Sequence, residues 1–247
     1  MNVRVFRIVA AAWLVGWFWK AHFFAGYYFG EVWAHPLHYS ALPRVLVHPA
    51  LACIAWVSPL LVIVAIAKPR FMRPASWLMV AASLVACIHF ETFSDATFVT
   101  SFWVALWLAW FTANAQRTDE SFYLHARVLA QCTLSVIFLG GAVGKLTSEY
   151  WNGEAFYQLY FVQKPGWPYT WLRETYAADT LRVIATWFSR GVIVAELALA
   201  LNPLMPFRVA AIGGIGAMVG MVLISTFYLW SVMACLVGLL LALLLIG

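Results

Sequence analysis

Near its middle the chain reads Phe138-Leu-Gly-Gly-Ala-Val-Gly-Lys145-Leu-Thr-Ser-Glu-Tyr-Trp151-Asn-Gly153. A lysine ends a long apolar stretch here and stands directly before a segment rich in tryptophan and tyrosine. A cation at membrane depth is costly unless it is solvated or paired, so ionisable residues there are functional candidates. Two interpretations of Lys145 follow. It is an interfacial anchor whose ammonium reaches the lipid–water boundary, or it takes part in binding or chemistry.

The composition indicates that most of this chain is solvated by lipid. Hydrophobic residues make up 64% of the 247 residues and charged residues only 10%, against about 45–50% and about 25% in soluble domains. The 14 tryptophans agree with this, because indole rings favour the membrane–water interface. The basic residues are scattered over short connections rather than gathered in a stripe, so the expected partner is the lipid bilayer and not nucleic acid.

Eight apolar segments have the length of about 20 residues that a membrane-crossing helix needs. They are continuous apolar runs, without the alternation typical of a transmembrane barrel. The predicted fold class is therefore all-α, a polytopic integral membrane helix bundle of about eight transmembrane helices. We expect one transmembrane domain over 1–247, with a loop of about 147–181 on the outer side. The segments cover residues 5–28, 45–67, 75–93, 97–116, 127–146, 182–201, 208–227 and 229–246.

The distribution of lysine and arginine predicts the orientation of these spans. With eight spans, both termini share a side with the connections near 68–74, 117–127 and 202–208. Cytoplasmic connections carry the excess of cations, so both termini are expected in the cytoplasm of a bacterial cell, with the protein in the inner membrane. The terminal side holds Arg4, Arg7, Lys68, Arg70, Arg73, Arg117, Arg127 and Arg208, and the opposite side Arg44, Lys164, Arg173 and Arg182.

Several other ionisable residues lie within or beside the predicted spans. In this topology six of them point toward the outer leaflet, where a shared polar cavity would let the carboxylates solvate the lysines. These six are Lys20, His22, His89, Glu91, Asp95 and Lys145. Arg190 and Glu196 are six residues apart on one span, so they face different directions and each needs another partner. An interhelical ion pair and a functional role remain open for both.

Glycines four residues apart predict close helix contacts at Gly140 and Gly144 and again at Gly216 and Gly220. The histidines lack the spacing that would indicate haem or a metal ion, so no metal site is predicted. The four cysteines lie within predicted spans without paired spacing, and no disulfide is expected.

Around Lys145 the sequence resembles a known family. Gly140-Gly-Ala-Val-Gly-Lys145-Leu, then Glu149-Tyr-Trp-Asn-Gly-Glu-Ala155 and Val194-Ala-Glu196-Leu-Ala-Leu199, are similar to the vitamin K-dependent γ-carboxylase-like, or horizontally transferred transmembrane (HTTM), family. The specific part of the resemblance covers about residues 136–200. Small DoxX-like membrane proteins share the glycine–lysine and glutamate–leucine themes and remain a competing relative.

The resemblance implies a reduced quinone as ligand and Lys145 as the base that deprotonates it. Such a lysine has to be neutral for part of the time, and a desolvated position beside a second cation, such as Lys20, favours the neutral amine. His89, Glu91 or Asp95 would assist in an outer-leaflet pocket. Trp151 and the aromatic residues up to Trp171 would cover this pocket.

Some family features are replaced in this chain. We expect no counterpart of the family's large soluble region after the helices, and the family's Asn-His pair before the fourth helix corresponds to Phe93-Ser-Asp95-Ala-Thr97. The seventh span contains no histidine. We therefore do not expect glutamate carboxylation. Two classes of function remain: a membrane protein that binds a quinone or lipid around Lys145, with or without catalysis, and a non-catalytic subunit that holds a larger complex in the membrane.

Overall fold

The structure is a computed structural model that describes residues 2–28, 52–90, 96–162, 168–224 and 229–247. All regular elements in these ranges are helices, which confirms the all-α fold class for the described part of the chain. Eight of the described helices have 16 residues or more, and in order and position they match the eight predicted segments. They are α1 (Asn2–Tyr28), α2 (Ala52–Ala67), α3 (Met72–Phe90), α4 (Ala96–Ala113), α5 (Glu120–Gly144), α9 (Ala178–Ala200), α10 (Phe207–Ile224) and α11 (Trp230–Leu245).

Shorter elements connect α5 to α9. They are α6 (Ser148–Trp151), α7 (Glu154–Phe156), a π-helical segment (Tyr157–Val162) and α8 (Tyr169–Thr175). Single 3₁₀ turns at Pro69–Phe71 and Asn202–Leu204 lead into α3 and α10. Two of the described helices, α5 and α9, are long and apolar enough to cross a membrane by length and composition.

The chain forms two compact units. Unit 1 consists of Met1–Thr133 and Pro206–Gly247, and unit 2 consists of Leu134–Met205. Helix α5 therefore begins in unit 1 and ends in unit 2. The sequence predicted one domain over 1–247 and did not indicate this division.

Unit 1 is a bundle in which α1 packs against α11, α2 and α4, while α3 packs between α2 and α4. Small residues allow the close approach of α1 and α11. A Cβ on Gly16 would lie 2.7 Å from the carbonyl oxygen of Ser231, and Gly238 lies directly against Ala12. One buried polar contact of the bundle joins Trp13 to Ser83: Trp13 Nε1 donates to Ser83 Oγ at 3.1 Å. The core of unit 1 thus depends on close backbone contacts.

The glycine pairs that the sequence singled out do not make such contacts. No atom of the described residues lies within 4 Å of the position that a Cβ would occupy on Gly140, Gly144, Gly216 or Gly220. The prediction of close helix contact at these four glycines is therefore wrong for the described part of the chain. The spacing places the two glycines of each pair on one face of their helix. The rotation of the helix decides whether that face meets a neighbour.

At one end of unit 1 the N-terminus contacts the end of α2 and the connection between α4 and α5. Asn2 Nδ2 donates to the carbonyl oxygen of Ala115 at 2.7 Å, and Tyr123 Oη donates to Asn2 Oδ1 at 2.9 Å. Arg7 Nε donates to the carbonyl oxygen of Ile66 at 3.1 Å. The start of α1, the end of α2 and the α4–α5 connection therefore share one end of unit 1, as expected when an even number of antiparallel helices separates them.

The C-terminal part of unit 1 shows the same arrangement. The guanidinium carbon of Arg127 lies 5.0 Å from the centre of the Phe207 ring, and Gly247 lies against the same ring. The start of α5, the start of α10 and the C-terminal residue are thus neighbours.

Candidate functional site

Lys145 forms an ion pair with Glu196 inside unit 2. Its Nζ lies 2.8 Å from both carboxylate oxygens and donates a third hydrogen bond to the carbonyl oxygen of Gly141 at 3.1 Å. The Lys145 and Glu196 side chains are 27% and 12% exposed. The pair is therefore mostly enclosed but still reachable from one side.

The backbone of α5 makes room for this pair. A Cβ on Gly141 would lie 3.3 Å from both Glu196 oxygens, closer than ordinary van der Waals contact, so glycine lets the carboxylate approach. The last turn of α5 tightens at Lys145, whose amide donates to Ala142. On the other side of the pair, Ser135 Oγ donates to the carbonyl oxygen of Ala200. Since Ser135 meets Ala200 and Lys145 meets Glu196, the two helices run antiparallel.

A polar face of α9 holds the segment that follows Lys145. Thr186 Oγ1 donates to the carbonyl oxygen of Asn152 at 2.9 Å, and Ser189 Oγ donates to that of Tyr150. Arg190 Nε donates to the carbonyl oxygen of Trp151 at 3.2 Å. Residues three and four apart share one face of a helix, so α9 satisfies three consecutive carbonyl groups at the end of α6.

Local sequence explains how the chain turns onto this face. Thr147 is the N-cap of α6, and its side chain accepts a hydrogen bond from the amide of Tyr150 at 3.2 Å. Gly153 adopts a left-handed backbone with φ 78°, which glycine tolerates without strain. A Cβ there would also lie 2.5 Å from the backbone nitrogen of Thr186. Gly153 therefore serves both the turn and the close contact with α9.

Tyr150 adds a phenol beside the ion pair. Burial raises the pKa of this phenol well above its usual range, and the neighbouring Tyr160 and Glu196 raise it further. Tyr150 is therefore a neutral hydrogen-bond donor at every physiological pH. The Glu196 carboxylate can accept a hydrogen bond from a ligand hydroxyl, and the neutral phenol can donate one to a ligand oxygen.

The aromatic residues after Trp151 form a small core of their own. Phe156, Tyr160, Phe161 and Tyr169 are buried with residues of α9, and the rings of Phe156 and Tyr160 stack with centroids 4.2 Å apart. The sequence predicted that Tyr160 and Tyr169 would cover a ligand pocket. Instead both pack into this core, because the segment has to bury its own apolar face against α9. Trp167 lies outside the described residues.

The other predicted site residues are placed as follows. Arg190 and Glu196 do not pair with each other, as their spacing predicted: Glu196 binds Lys145, and Arg190 binds the Trp151 carbonyl. Lys20 lies on α1 in unit 1 and is only 4% exposed. The shared cavity of Lys145 with Lys20 and the four other residues stays a prediction. Glu91 and Asp95 lie outside the described residues, as do the side chains of His22 and His89.

Sequence reasoning missed the pairing of Lys145 with Glu196 and the roles of Thr186 and Ser189. A usable signal was present. After Arg182 the sequence of α9 is mostly apolar, and its polar side chains there are Thr186, Ser189, Arg190 and Glu196. The first three share one face. A stripe of this kind on an apolar helix indicates a surface that binds polar groups rather than lipid.

In the part of the chain that the structure describes, fold and site define a helical protein with a partly enclosed lysine–glutamate pair where α5 and α9 meet. Comparisons with protein-family models, curated proteins and solved structures found no match to this chain. The resemblance to the HTTM family thus stays a prediction. Among the described residues no group of three or more His, Cys, Asp or Glu side chains could hold a metal ion.

Proposed function

We propose that the protein is an eight-span integral membrane protein with a carboxylase-like, HTTM-type helical scaffold. At its Lys145–Glu196 pair it binds a hydroxyl-bearing membrane molecule, namely a reduced quinone or a lipid. The single observation that carries this proposal is the partly exposed ion pair among exposed apolar side chains. Val143 and Leu146 flank Lys145, Val194 and Leu197 flank Glu196, and all four are exposed.

The membrane placement rests on the surface of the long helices. Large apolar side chains that would be unfavourable in water are exposed along them, and lipid is the solvent that removes this penalty. Examples are Leu60, Leu61, Val183, Trp187, Val194, Val209, Ile212 and Leu223. The match between eight long helices and eight apolar segments supports eight spans.

The orientation rests on the basic end of unit 1. Exposed cations are concentrated where the N-terminus and the α2–α3 and α4–α5 connections meet, and the membrane side with most Lys and Arg is the cytoplasmic one. These exposed cations are Arg4, Arg7, Lys68, Arg70, Arg73, Arg117 and Arg208. Alkaline phosphatase and fluorescent-protein fusions at the C-terminus and after Trp151 test this. We expect fluorescence only at the first site and phosphatase activity only at the second.

The hydrogen bonds of the pair determine what kind of ligand fits. An ammonium has three donors, and those of Lys145 are taken by two Glu196 oxygens and by Gly141. The Glu196 oxygens keep unused lone pairs. The site can therefore accept a hydrogen bond from a ligand hydroxyl, while the Tyr150 phenol can donate one.

This geometry also changes the roles within the site. The carboxylate of Glu196 has lone pairs left to accept a proton, whereas Lys145 uses all three of its donors within the site. The base role that the family resemblance implied for Lys145 would therefore pass to Glu196. When Glu196 accepts the hydroxyl proton, its hold on the ammonium weakens, and a released Lys145 donor can stabilise the oxygen anion. His89, Glu91 and Asp95 are not needed for this step.

Native mass spectrometry of the protein, extracted from its own membrane in a mild detergent, tests the proposal. We expect an adduct of quinone or lipid mass on the wild type and its loss in Glu196→Gln and Lys145→Ala. The control is Arg117→Gln, which removes the exposed pair with Asp119 and should keep the adduct. A wild type without an adduct would overturn it, and so would a Glu196→Gln variant that keeps every adduct of the wild type.

A second candidate is a non-catalytic subunit of a membrane complex. One observation favours it: the segment between Trp151 and α9 exposes Leu159, Val162, Trp171 and Tyr176, although it would lie outside the bilayer core. Apolar side chains exposed to water mark protein interfaces. In the same experiment, co-purification of other polypeptides in fixed ratio without a small molecule would support this candidate.

A further inference from the structure

Arg190 lies between two exposed indole rings on the surface of unit 2. Its guanidinium carbon is 5.0 Å from the centroid of Trp151 and 5.8 Å from that of Trp187. These tryptophans are 44% and 68% exposed. Such distances are within the range of cation–π attraction, so the two rings hold the cation in place.

The hydrogen-bonding capacity of this cluster is only partly used. Arg190 Nε donates to the carbonyl oxygen of Trp151, which fixes the plane of the guanidinium. Within the described part of the chain, the two terminal amino groups of Arg190 and the indole N–H groups of Trp151 and Trp187 have no hydrogen-bond acceptor, and no carboxylate pairs with Arg190. Charged and neutral donors therefore remain available on one surface.

The position along α9 indicates which environment these donors meet. Helix α5 has 25 residues, or about 37 Å, enough to cross a hydrocarbon core of about 30 Å. Lys145 directly follows α5 and therefore marks the boundary. Arg190 precedes its partner Glu196 by six residues, which is about 9 Å farther out along the antiparallel α9. That depth corresponds to the lipid headgroups.

We propose that Arg190, Trp151 and Trp187 bind the phosphate of a phospholipid headgroup. The planar guanidinium fork matches the oxygens of a phosphate and makes charge-assisted hydrogen bonds to them. Indole rings favour the headgroup region, where the ring contacts apolar groups and the N–H meets polar ones. The inference rests on the membrane placement proposed above but not on the ligand of the Lys145–Glu196 pair.

The test is a titration of delipidated protein in detergent with short-chain phosphatidylglycerol, followed by native mass spectrometry. We expect Arg190→Gln to weaken the first bound phospholipid by about tenfold, since hydrogen bonds to charged groups are among the strong ones. The phospholipid affinity of Arg190→Lys should lie between those of the wild type and Arg190→Gln, because lysine keeps the charge but lacks the planar guanidinium fork. The matched control is Arg182→Gln, since Arg182 is exposed on the same helix and stacks on Tyr157 at 5.2 Å. It should bind like the wild type.

Three outcomes would overturn the proposal. The first is an equal loss of phospholipid affinity in Arg182→Gln, which would show that any cation on this surface attracts the anionic lipid. The second is equally tight binding of a diacylglycerol that has no phosphate. The third is complete displacement by millimolar inorganic phosphate, which would assign the site to free phosphate. If Arg190→Gln does not fold, Trp187→Ala takes its place and should weaken phospholipid binding while Arg190 remains.

The two proposals fail in different ways. Loss of the Lys145 ligand in Glu196→Gln concerns the ion pair, and phospholipid affinity should then be unchanged. If an alkaline wash releases the protein from its membrane, the membrane placement fails and both proposals fail with it.

Discussion

The two units of this protein are stabilised by different kinds of contact. Unit 1 relies on long helices that approach each other closely at small residues, as at Gly16 and Gly238. Unit 2 relies on polar groups of α9, where Thr186 and Ser189 bind carbonyl groups and Glu196 binds Lys145. A short helix leaves most of its carbonyl groups without partners in the helix. The short elements of unit 2 therefore depend on the polar face of α9 for hydrogen bonds.

The largest effect is expected for Gly153→Ala. The left-handed backbone at φ 78° strains any residue with a Cβ, and this Cβ would meet the Thr186 backbone at 2.5 Å. Strain and overpacking together should lower the unfolding free energy by about 4 kcal/mol. Thermal unfolding in detergent measures the loss, and limited proteolysis should show that residues 147–177 become accessible first.

Gly140→Ala is the control for this substitution. Gly140 has open space around it among the described residues, and alanine is the better helix former by up to about 1 kcal/mol. We expect equal or slightly higher stability. If both glycine variants lose the same stability, the contact between Gly153 and α9 does not organise unit 2.

The next largest effect concerns the ion pair itself. Lys145→Met and Glu196→Leu should each lower stability by about 3 kcal/mol, because either one leaves an uncompensated charge. The double variant should return close to wild type, since it leaves no charge behind. A double-mutant cycle of unfolding free energies measures the coupling. Simple addition of the two losses would show that each side chain acts through packing alone.

The exposed pair of Arg117 and Asp119 provides the reference for that cycle. Its side chains are about half exposed, and exposed pairs contribute little to stability. Removing Arg117 should therefore change little, and Asp119 then keeps the hydrogen bond that its side chain accepts from the Phe122 amide.

Unit 1 should respond to a different substitution, Gly16→Ala. The new Cβ would lie 2.7 Å from the Ser231 carbonyl oxygen and 3.0 Å from Cys235 Sγ, so α1 and α11 would have to separate. We expect a loss of about 2 kcal/mol in unfolding free energy. Gly216→Ala, on an open face of α10, should cause none. If Gly16→Ala and Gly216→Ala lowered the unfolding free energy equally, the close approach of α1 and α11 at Gly16 would not contribute to the stability of unit 1.

The fold could largely be predicted from the sequence because the length of apolar segments determines the long helices. Each predicted segment, such as 127–146 or 182–201, overlaps one long helix. The division into two units could not be predicted, since it depends on how helices pack rather than on their composition. The surroundings of Gly140 and Gly144 could not be predicted for the same reason. Their spacing places them on one face of α5 but does not tell which way that face points.

The sequence predicted which residues belong to the candidate site but not which of them interact. Lys145, Glu196, Arg190 and Trp151 were all candidates, yet carboxylates elsewhere were expected to solvate the lysine. The pairing of residues 51 positions apart depends on the antiparallel arrangement of α5 and α9 and on the missing Cβ of Gly141. Neither is visible in a single sequence.

The smallest expected effect distinguishes hydrogen bonds between elements from those within one helix. Thr186→Val keeps the shape of the side chain but removes a hydroxyl that Asn152 and Arg182, the latter in the same helix, share as carbonyl acceptors. The Asn152 carbonyl loses its partner on α9, so we expect a loss of about 1 kcal/mol. In Thr133→Val the hydroxyl that is lost binds only Leu129 of its own helix, and that carbonyl keeps its helical partner. Stability should then be nearly unchanged. Hydrogen exchange of residues 148–153 should rise in the first variant only, and an equal rise in both would mean that α9 does not hold α6 through its hydroxyl groups.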